Sequence, residues 1–154
     1  MENNEINSQE NKAEKEKEDI ELSPKIEVYQ KKLEKSPDSL VFLPLAEEYR
    51  KSGMLEEATF YLEEGLEKNP TYTLAKVALG RCYLEKKDVL KAKNLITEVV
   101  KEDPDNVVAL KLLGQILLRE GNINEAKARL EKANQLKPND PEITDLLNQI
   151  SSFG

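Results

Sequence analysis

The sequence contains no histidine, no tryptophan and a single cysteine, Cys82, among 154 residues. Enzyme active sites need a positioned nucleophile, a general base or a metal, and histidine most often serves as the base. Acidic residues are plentiful, but they occur as neighbours such as Glu47 and Glu48, whose side chains point about 100° apart on a helix. The cysteine, beside Tyr83 in a predicted helix, is typical of an inert core thiol. We therefore predict no enzymatic activity, no cofactor and no metal site.

The sequence also lacks long apolar runs and an excess of basic residues. No apolar run approaches the roughly 20 residues of a membrane-spanning helix, and the first residues lack the basic and apolar regions of a secretory signal. Nucleic-acid binding requires a basic face, whereas the formal net charge is −7. These absences predict a soluble, cytoplasmic protein that binds neither membranes nor nucleic acid.

The first 21 residues differ in composition from the rest of the chain. They carry eight acidic and three basic residues, with Ile6, Ala13 and Ile20 as the apolar interruptions. So little apolar surface cannot offset the entropy lost when a chain becomes ordered. We predict a disordered acidic tail over residues 1–22. Two roles remain open for it: a solvated leader, or an acidic lid over a groove in the folded part.

A motif that recurs every 34 residues organises the rest of the chain. Three alanines mark it, at Ala58, Ala92 and Ala126. A glycine or lysine precedes each alanine by five positions and a proline follows it by twelve, at Gly53, Lys87 and Gly121 and at Pro70, Pro104 and Pro138. Glycine accepts the left-handed conformation that closes a helix, and proline cannot continue one. Each unit is thus predicted to be two amphipathic helices that bury their apolar faces by stacking on neighbouring units.

The motif resembles the tetratricopeptide repeat family. The second unit carries the family signature most fully, at Leu79, Gly80, Tyr83, Ala92 and Pro104. The resemblance implies an all-α, right-handed α-solenoid of antiparallel helix pairs. The predicted organisation is a tail (1–22), a half-repeat helix (23–38), three repeats (39–72, 73–106 and 107–140) and a capping helix (141–154). Two positions depart from the family pattern, with Lys76 in place of a bulky apolar residue and Gly65 in place of alanine.

Several local contacts are expected within the repeats. The small residues Ala46, Gly80 and Gly114 should each face the marker alanine of the same unit, because the paired helices must approach closely. Pro44 should lie in the first turn of its helix, where its missing N–H costs least. Four helix starts have capping residues, which are Ser23, Asp88, Asn122 in a capping box with Glu125, and Asp140.

In tetratricopeptide folds the first helix of each unit lines the concave face, and on that resemblance we predict the groove. Its residues are Leu43, Glu47, Arg50, Val77, Arg81, Leu84, Lys111, Gln115, Leu118 and Arg119. Arg81 and Lys111 should form a cationic centre between apolar walls, a surface suited to an extended or helical segment that carries acidic residues. Leu40, Leu74 and Val108 either join this wall or pack against the adjacent unit.

The resemblance thus implies a non-catalytic scaffold that binds a segment of another protein. It does not extend to the two-carboxylate clamp with which some family members hold the acidic C-terminus of heat-shock chaperones. That clamp needs lysine and asparagine where this chain has Leu43 and Glu47, and of its later residues only Lys111 is kept. The alternative function is self-assembly into a symmetric homodimer through the groove or through Leu146 and Leu147 of the end helix.

Overall fold

A computed structural model describes residues 22–153, which form eight α-helices and no strand. In chain order these are α1 (Pro24–Lys35), α2 (Phe42–Lys51), α3 (Leu55–Lys68), α4 (Thr73–Glu85), α5 (Val89–Glu102), α6 (Val107–Arg119), α7 (Ile123–Leu136) and α8 (Pro141–Ser152). The predicted all-α fold is confirmed, and each predicted repeat contains two of these helices. Apart from Leu22, the predicted tail lies outside the described residues. Within this range no helix has both the length and the apolarity to cross a bilayer.

The three helical hairpins turn where the sequence predicts. Gly53, Lys87 and Gly121 have positive φ angles of 77°, 67° and 80°, each two residues after the first helix of its unit. The next amide then bonds back into the helix, as Asp88 N does to the Tyr83 carbonyl at 2.9 Å, which is the Schellman pattern. The second helices α3, α5 and α7 each end two residues before the repeat proline.

Lys87 is the one non-glycine residue among these three left-handed positions, and it gives a stability prediction. We expect Lys87→Gly to raise the free energy of unfolding by about 0.5 kcal/mol, because the relief of left-handed strain exceeds the extra entropy of an unfolded glycine. Urea denaturation measures the change. The matched control is Gly121→Ala, where an added Cβ meets no atom within 4 Å, so only backbone strain should lower the stability. Equal or lower stability of Lys87→Gly would contradict the prediction.

Helix capping follows the prediction at three of four sites. Ser23, Asp88 and Asp140 accept backbone hydrogen bonds from the first turns of α1, α5 and α8, whereas Asn122 makes no side-chain cap, so the predicted capping box is wrong. The backbone explains the difference. At Asn122 and Asp88 ψ is near 70°, and there the cap bond is absent or long at 3.4 Å. Asn106, which the sequence reasoning missed, has ψ of 104° and accepts from Ala109 N at 3.0 Å.

The small residues allow the two helices of a repeat to approach closely, but the residues that face Gly80 and Gly114 differ from those predicted. A Cβ on Gly80 would collide with the side chain of Ile96, and one on Gly114 with that of Leu130. The predicted glycine-to-alanine contact is therefore wrong at Gly80: the facing residue is one helical turn beyond the marker alanine. Ala92 itself is fully buried. The spacing of the helix pair is thus set by a glycine and a large aliphatic residue.

Both departures from the family pattern have structural explanations. Gly65 lies directly against the ring of Phe42, which leaves no room for a Cβ. Lys76 is buried to 7% exposure, and its ammonium reaches Glu98 Oε1 at 3.0 Å and Glu102 Oε2 at 3.2 Å. The lysine stem fills the space of the usual apolar residue while its charge joins α4 to α5. Pro44 is the third residue of α2, as expected.

The three repeats stack so that the first helix of each one, α2, α4 or α6, lies on the inner wall. Each unit pairs its own two helices and packs on the next, and α2 also contacts α4 as α4 contacts α6. Within residues 22–153 the second helices have no comparable contact with one another. A stack in which first helices contact one another across units, and second helices do not, curves toward α2, α4 and α6. They therefore line its concave side.

The core is divided into two clusters that share α4. The N-terminal cluster includes Leu45 and the fully buried Cys82, which confirms the predicted core thiol. The C-terminal cluster includes Leu84 and Leu110. Tyr83 packs against both clusters. One face of α4 thus belongs to the first half of the stack and the other face to the second half.

Candidate functional site

Two adjoining depressions lie on the concave side of α2, α4 and α6, and they contain nine of the ten predicted groove residues. Arg81 and Val108 line both depressions, so they form one continuous groove. The tenth residue, Leu118, packs against the C-terminal core instead. The stacking of the first helices brings these side chains together although they are up to 76 residues apart in the chain.

The first depression, which we call the apolar pocket, has a volume of about 240 Å³. Its lining residues are Leu43, Glu47, Leu74, Val77, Ala78, Arg81, Asn106 and Val108. Leu74 lines this pocket and keeps 62% of its surface exposed. Of the two positions predicted for it, it therefore lies on the groove wall rather than packed against the adjacent unit. Val108 is half-buried on the same wall, and Leu40 is exposed without lining either depression. An exposed leucine inside a concave apolar surface is a contact point for another apolar side chain.

The second depression, which we call the cationic pocket, has a volume of about 330 Å³. Its lining residues are Arg50, Arg81, Leu84, Glu85, Val108, Lys111, Leu112, Gln115, Arg119 and Glu142. Four of them are cationic and two are acidic. The availability of the cations to a ligand depends on which of them already have acidic partners.

Arg50 is fully engaged by acidic side chains of the groove itself. Its guanidinium reaches Glu47 Oε2 at 3.0 Å and Glu85 Oε1 at 2.9 Å, so it joins α2 to α4. The hydrogen bond to Glu47 raises the pKa of Arg50 against the opposing effect of burial. Glu47 and Arg50 therefore neutralise each other as a structural pair rather than presenting separate charges to a ligand.

Lys111 is engaged as well, and this revises the predicted cationic centre. Its ammonium lies 3.3 Å from Asp140 Oδ2 and 3.2 Å from Glu142 Oε2, which ties α6 to the start of α8. Burial would raise the pKa of Asp140, but the amide of Ile143 and the charge of Lys111 outweigh burial and lower it. The carboxylate thus stays ionised at neutral pH. Lys111 serves chiefly to fix the capping helix.

Arg81 and Arg119 are the cations that remain for a ligand. Among residues 22–153 neither has a carboxylate within ion-pair distance, and Arg119 donates only to the Leu84 carbonyl, at 3.4 Å. Arg81 is half-buried at the junction of the two pockets, and Arg119 is exposed. The groove thus combines an apolar half with two arginines whose charges are not compensated by the described protein. That arrangement suits a segment carrying both an apolar and an acidic side chain.

A further cavity of about 340 Å³ lies outside this groove, between α1 and α3. Phe42, Leu33 and Tyr61 contribute its apolar surface. The sequence reasoning missed it because the cavity depends on the position of α1 relative to α3. The spacing of apolar residues within either helix does not determine how far apart the two helices lie.

Comparison with known proteins agrees with this architecture. The sequence model of the tetratricopeptide repeat family matches residues 49–97 and 84–150, which together cover well over half of the chain. The chain belongs to the tetratricopeptide repeat family. The TPR repeat-containing protein MJ0940 of Methanocaldococcus jannaschii is 32% identical over 111 residues, covering 70% of this chain and 35% of that protein. This tetratricopeptide chain therefore spans about a third of that relative's length.

Solved tetratricopeptide structures share the fold at low sequence identity. The first TPR of Spaghetti (RPAP3), bound to the HSP90 peptide SRMEEVD, superimposes with a TM-score of 0.71 at 24% identity, covering 77% of this chain and 94% of that one. YrrB, described as a TPR protein with an unusual peptide-binding site, gives 0.72 at 20% identity, covering 83% and 66%. At this identity the likeness establishes the α-solenoid fold of this tetratricopeptide protein.

Proposed function

We propose that this tetratricopeptide protein is a non-catalytic scaffold that holds a segment of a partner protein in its concave groove. The observation that carries the proposal is the apolar pocket continuous with Arg81 and Arg119, which lack acidic partners in the described chain. Repeat scaffolds use such concave surfaces for extended contact with other polypeptides. The family neighbour with a bound peptide supports a protein as the class of ligand.

The proposed ligand is an extended or helical segment with an apolar anchor and at least one acidic side chain. The anchor would enter the apolar pocket beside Leu74 and Val77, and the carboxylate would pair with Arg81 or Arg119. We do not propose a clamp for an acidic chain terminus, because Lys111 already pairs with two carboxylates. A short segment in such a groove should bind with micromolar affinity, about −8 kcal/mol.

Reversal of the Arg81 charge tests this proposal. We expect Arg81→Glu to reduce the amount of partner captured by the full chain about five- to tenfold, because it removes an attraction and adds repulsion of the ligand carboxylate. Affinity capture from the native cell, quantified by mass spectrometry, measures the loss. The matched control is Lys101→Glu, the same charge change at an exposed position of α5. Partners retained equally by both variants would show that the groove is not the binding site.

Self-assembly remains the second candidate because of the exposed Leu74 in the groove. Self-assembly through the end helix α8 is not supported, because Leu146 is only 9% exposed and Leu147 packs against the C-terminal core. Light scattering of the purified chain separates the two candidates. A dimer that dissociates in Leu74→Ser would support self-assembly through the groove, and a monomer would exclude it.

A further inference from the structure

We propose that the acidic tail, residues 1–21, docks into the cationic pocket of its own chain and competes there with other acidic segments. The proposal concerns regulation of the groove and rests on that groove being the binding site in the proposed function. Three features of the chain support it: where the tail is attached, how its charge compares with that of the pocket, and which side chains it carries.

The tail joins the folded part beside α2, near the end of that helix that carries Arg50. It leads into α1, whose first turn approaches α2 through an ion pair of Lys25 Nζ with Glu48 Oε1 at 3.9 Å. Glu48 is two residues before Arg50, which lines the cationic pocket, so the two residues are about 3 Å apart along the axis of α2 but point about 200° apart around it. The tail must therefore pass around α2 to enter the groove. A chain of 21 residues reaches up to about 70 Å when extended, so the attachment leaves ample length to enter the groove.

The charges of the tail and of the pocket are complementary. The tail has eight acidic residues against three basic ones, whereas the pocket presents Arg81 and Arg119 without carboxylate partners in the described chain. A tethered segment acts at a high effective concentration, in the millimolar range for short linkers. Weak individual pairs therefore suffice to populate the docked state. The cavity between α1 and α3 is a poorer match, because Glu34 and Glu64 line it together with Lys68 as its one cation.

The tail carries both kinds of side chain that the groove would accept. Acidic residues occur along its whole length, and Ile6, Ala13 and Ile20 are apolar positions among them. Glu18, Asp19 and Glu21 are next to α1 and would meet the arginines. Ile6 is farther from the attachment point and would reach the apolar pocket at the first turns of α4 and α6.

A nitroxide spin label on the tail of the full chain tests the proposal without any partner. Ala13→Cys supplies the attachment site. Cys82 should stay unlabelled, because it is fully buried and burial raises the pKa of its thiol to about 11. We expect the amide signals of Arg81 and Arg119 to lose at least half of their intensity relative to the reduced label. The amides of Lys101 and Lys127, on the second helices, should lose little.

Charge reversal and salt provide the matched controls. The groove signals should recover in Arg81→Glu/Arg119→Glu and in 0.5 M sodium chloride, where the screening length falls below about 5 Å. They should stay broadened in Lys101→Glu/Lys127→Glu, the same charge change on the outer helices. A spectrum with native dispersion verifies that each variant is folded.

Two results would overturn the proposal. One is that the amide signals of Arg81 and Arg119 lose no more intensity than those of Lys101 and Lys127. The other is broadening that appears only when labelled chain is mixed with a second, isotope-enriched copy, since the docking would then be between molecules. Failure of the proposed function is separately visible, because partner capture would then be insensitive to Arg81→Glu whatever the position of the tail.

Discussion

Ala92→Leu is expected to lower the free energy of unfolding by about 3 kcal/mol, at the upper end of the usual cost of overpacking. Ala92 is fully buried where α5 packs against α4, and the neighbouring Gly80 and Ile96 already fill the space between the two helices. Three added carbon atoms must therefore push the hairpin apart. Urea denaturation should show a lower midpoint with an unchanged slope, because the cooperative unit stays the same.

A surface alanine supplies the control for this experiment. Ala128 is exposed on α7, so Ala128→Leu adds the same atoms without a packing conflict and should change stability by less than about 0.5 kcal/mol. Unfolding of Ala92→Leu at the wild-type midpoint would contradict the packing at this position. It would also contradict the alignment of the three repeats from which the alanine was identified.

Lys111→Glu is expected to cause a loss of similar size, about 3 kcal/mol, because it breaks a largely buried ion pair. Asp140 has a side-chain exposure of 6% and Lys111 one of 13%, so the new glutamate would face the buried carboxylate of Asp140 with little water between them. The carboxylate of Glu142, which is 69% exposed, would add a weaker repulsion. The damage should be concentrated in α8, because Asp140 is its N-cap and Glu142 lies in its first turn. Hydrogen exchange measures this directly, as faster exchange of α8 amides than of α2 amides.

Two further substitutions separate charge reversal from loss of the lysine stem. Lys111→Met keeps the apolar stem and leaves Asp140 with Lys137 at 3.4 Å and with two backbone amides, so we expect a loss of about 1 kcal/mol. Arg81→Glu reverses a charge that has no acidic partner in the described chain and should leave α8 unchanged. If the α8 amides exchanged as slowly in Lys111→Glu as in Arg81→Glu, the role assigned to Lys111 would be wrong.

This difference between Lys111 and Arg81 determines how the groove should be probed. A variant that reverses both charges would weaken partner capture and loosen the capping helix at once. The two causes could not be distinguished by capture alone. Arg81→Glu isolates the binding surface, and Lys111→Met tests whether the charge of Lys111 contributes to partner capture.

The sequence predicts the fold well because the features that set it are local and repeated. A left-handed residue after each first helix and a proline after each second helix fix the hairpins, whatever lies on their surfaces. Nine of the ten residues predicted for the groove line the two pockets, because helical spacing and the family's stacking order suffice to identify the inner wall; their role in binding stays a prediction.

The errors arise where contacts between distant residues decide the outcome. Lys111 and Asp140 are 29 positions apart, so their pairing follows from the docking of α8 rather than from any spacing within α6. Lys76 is unusual for the family, but the sequence of α4 alone does not reveal its two glutamate partners on α5. The capping prediction at Asn122 fails for a local reason instead: the residue type suits a cap, but the backbone ψ angle near 70° leaves the hydrogen bond unmade.

The division of the core at α4 has a consequence for how such a chain can change in length. Because α4 gives one face to each cluster, a duplicated copy of residues 73–106 would meet the same two surfaces on either side. Insertion of a whole repeat would therefore conserve every interface and add one more helix to the inner wall. Evolution or protein engineering could lengthen the recognised segment by whole modules while leaving both ends of the array intact.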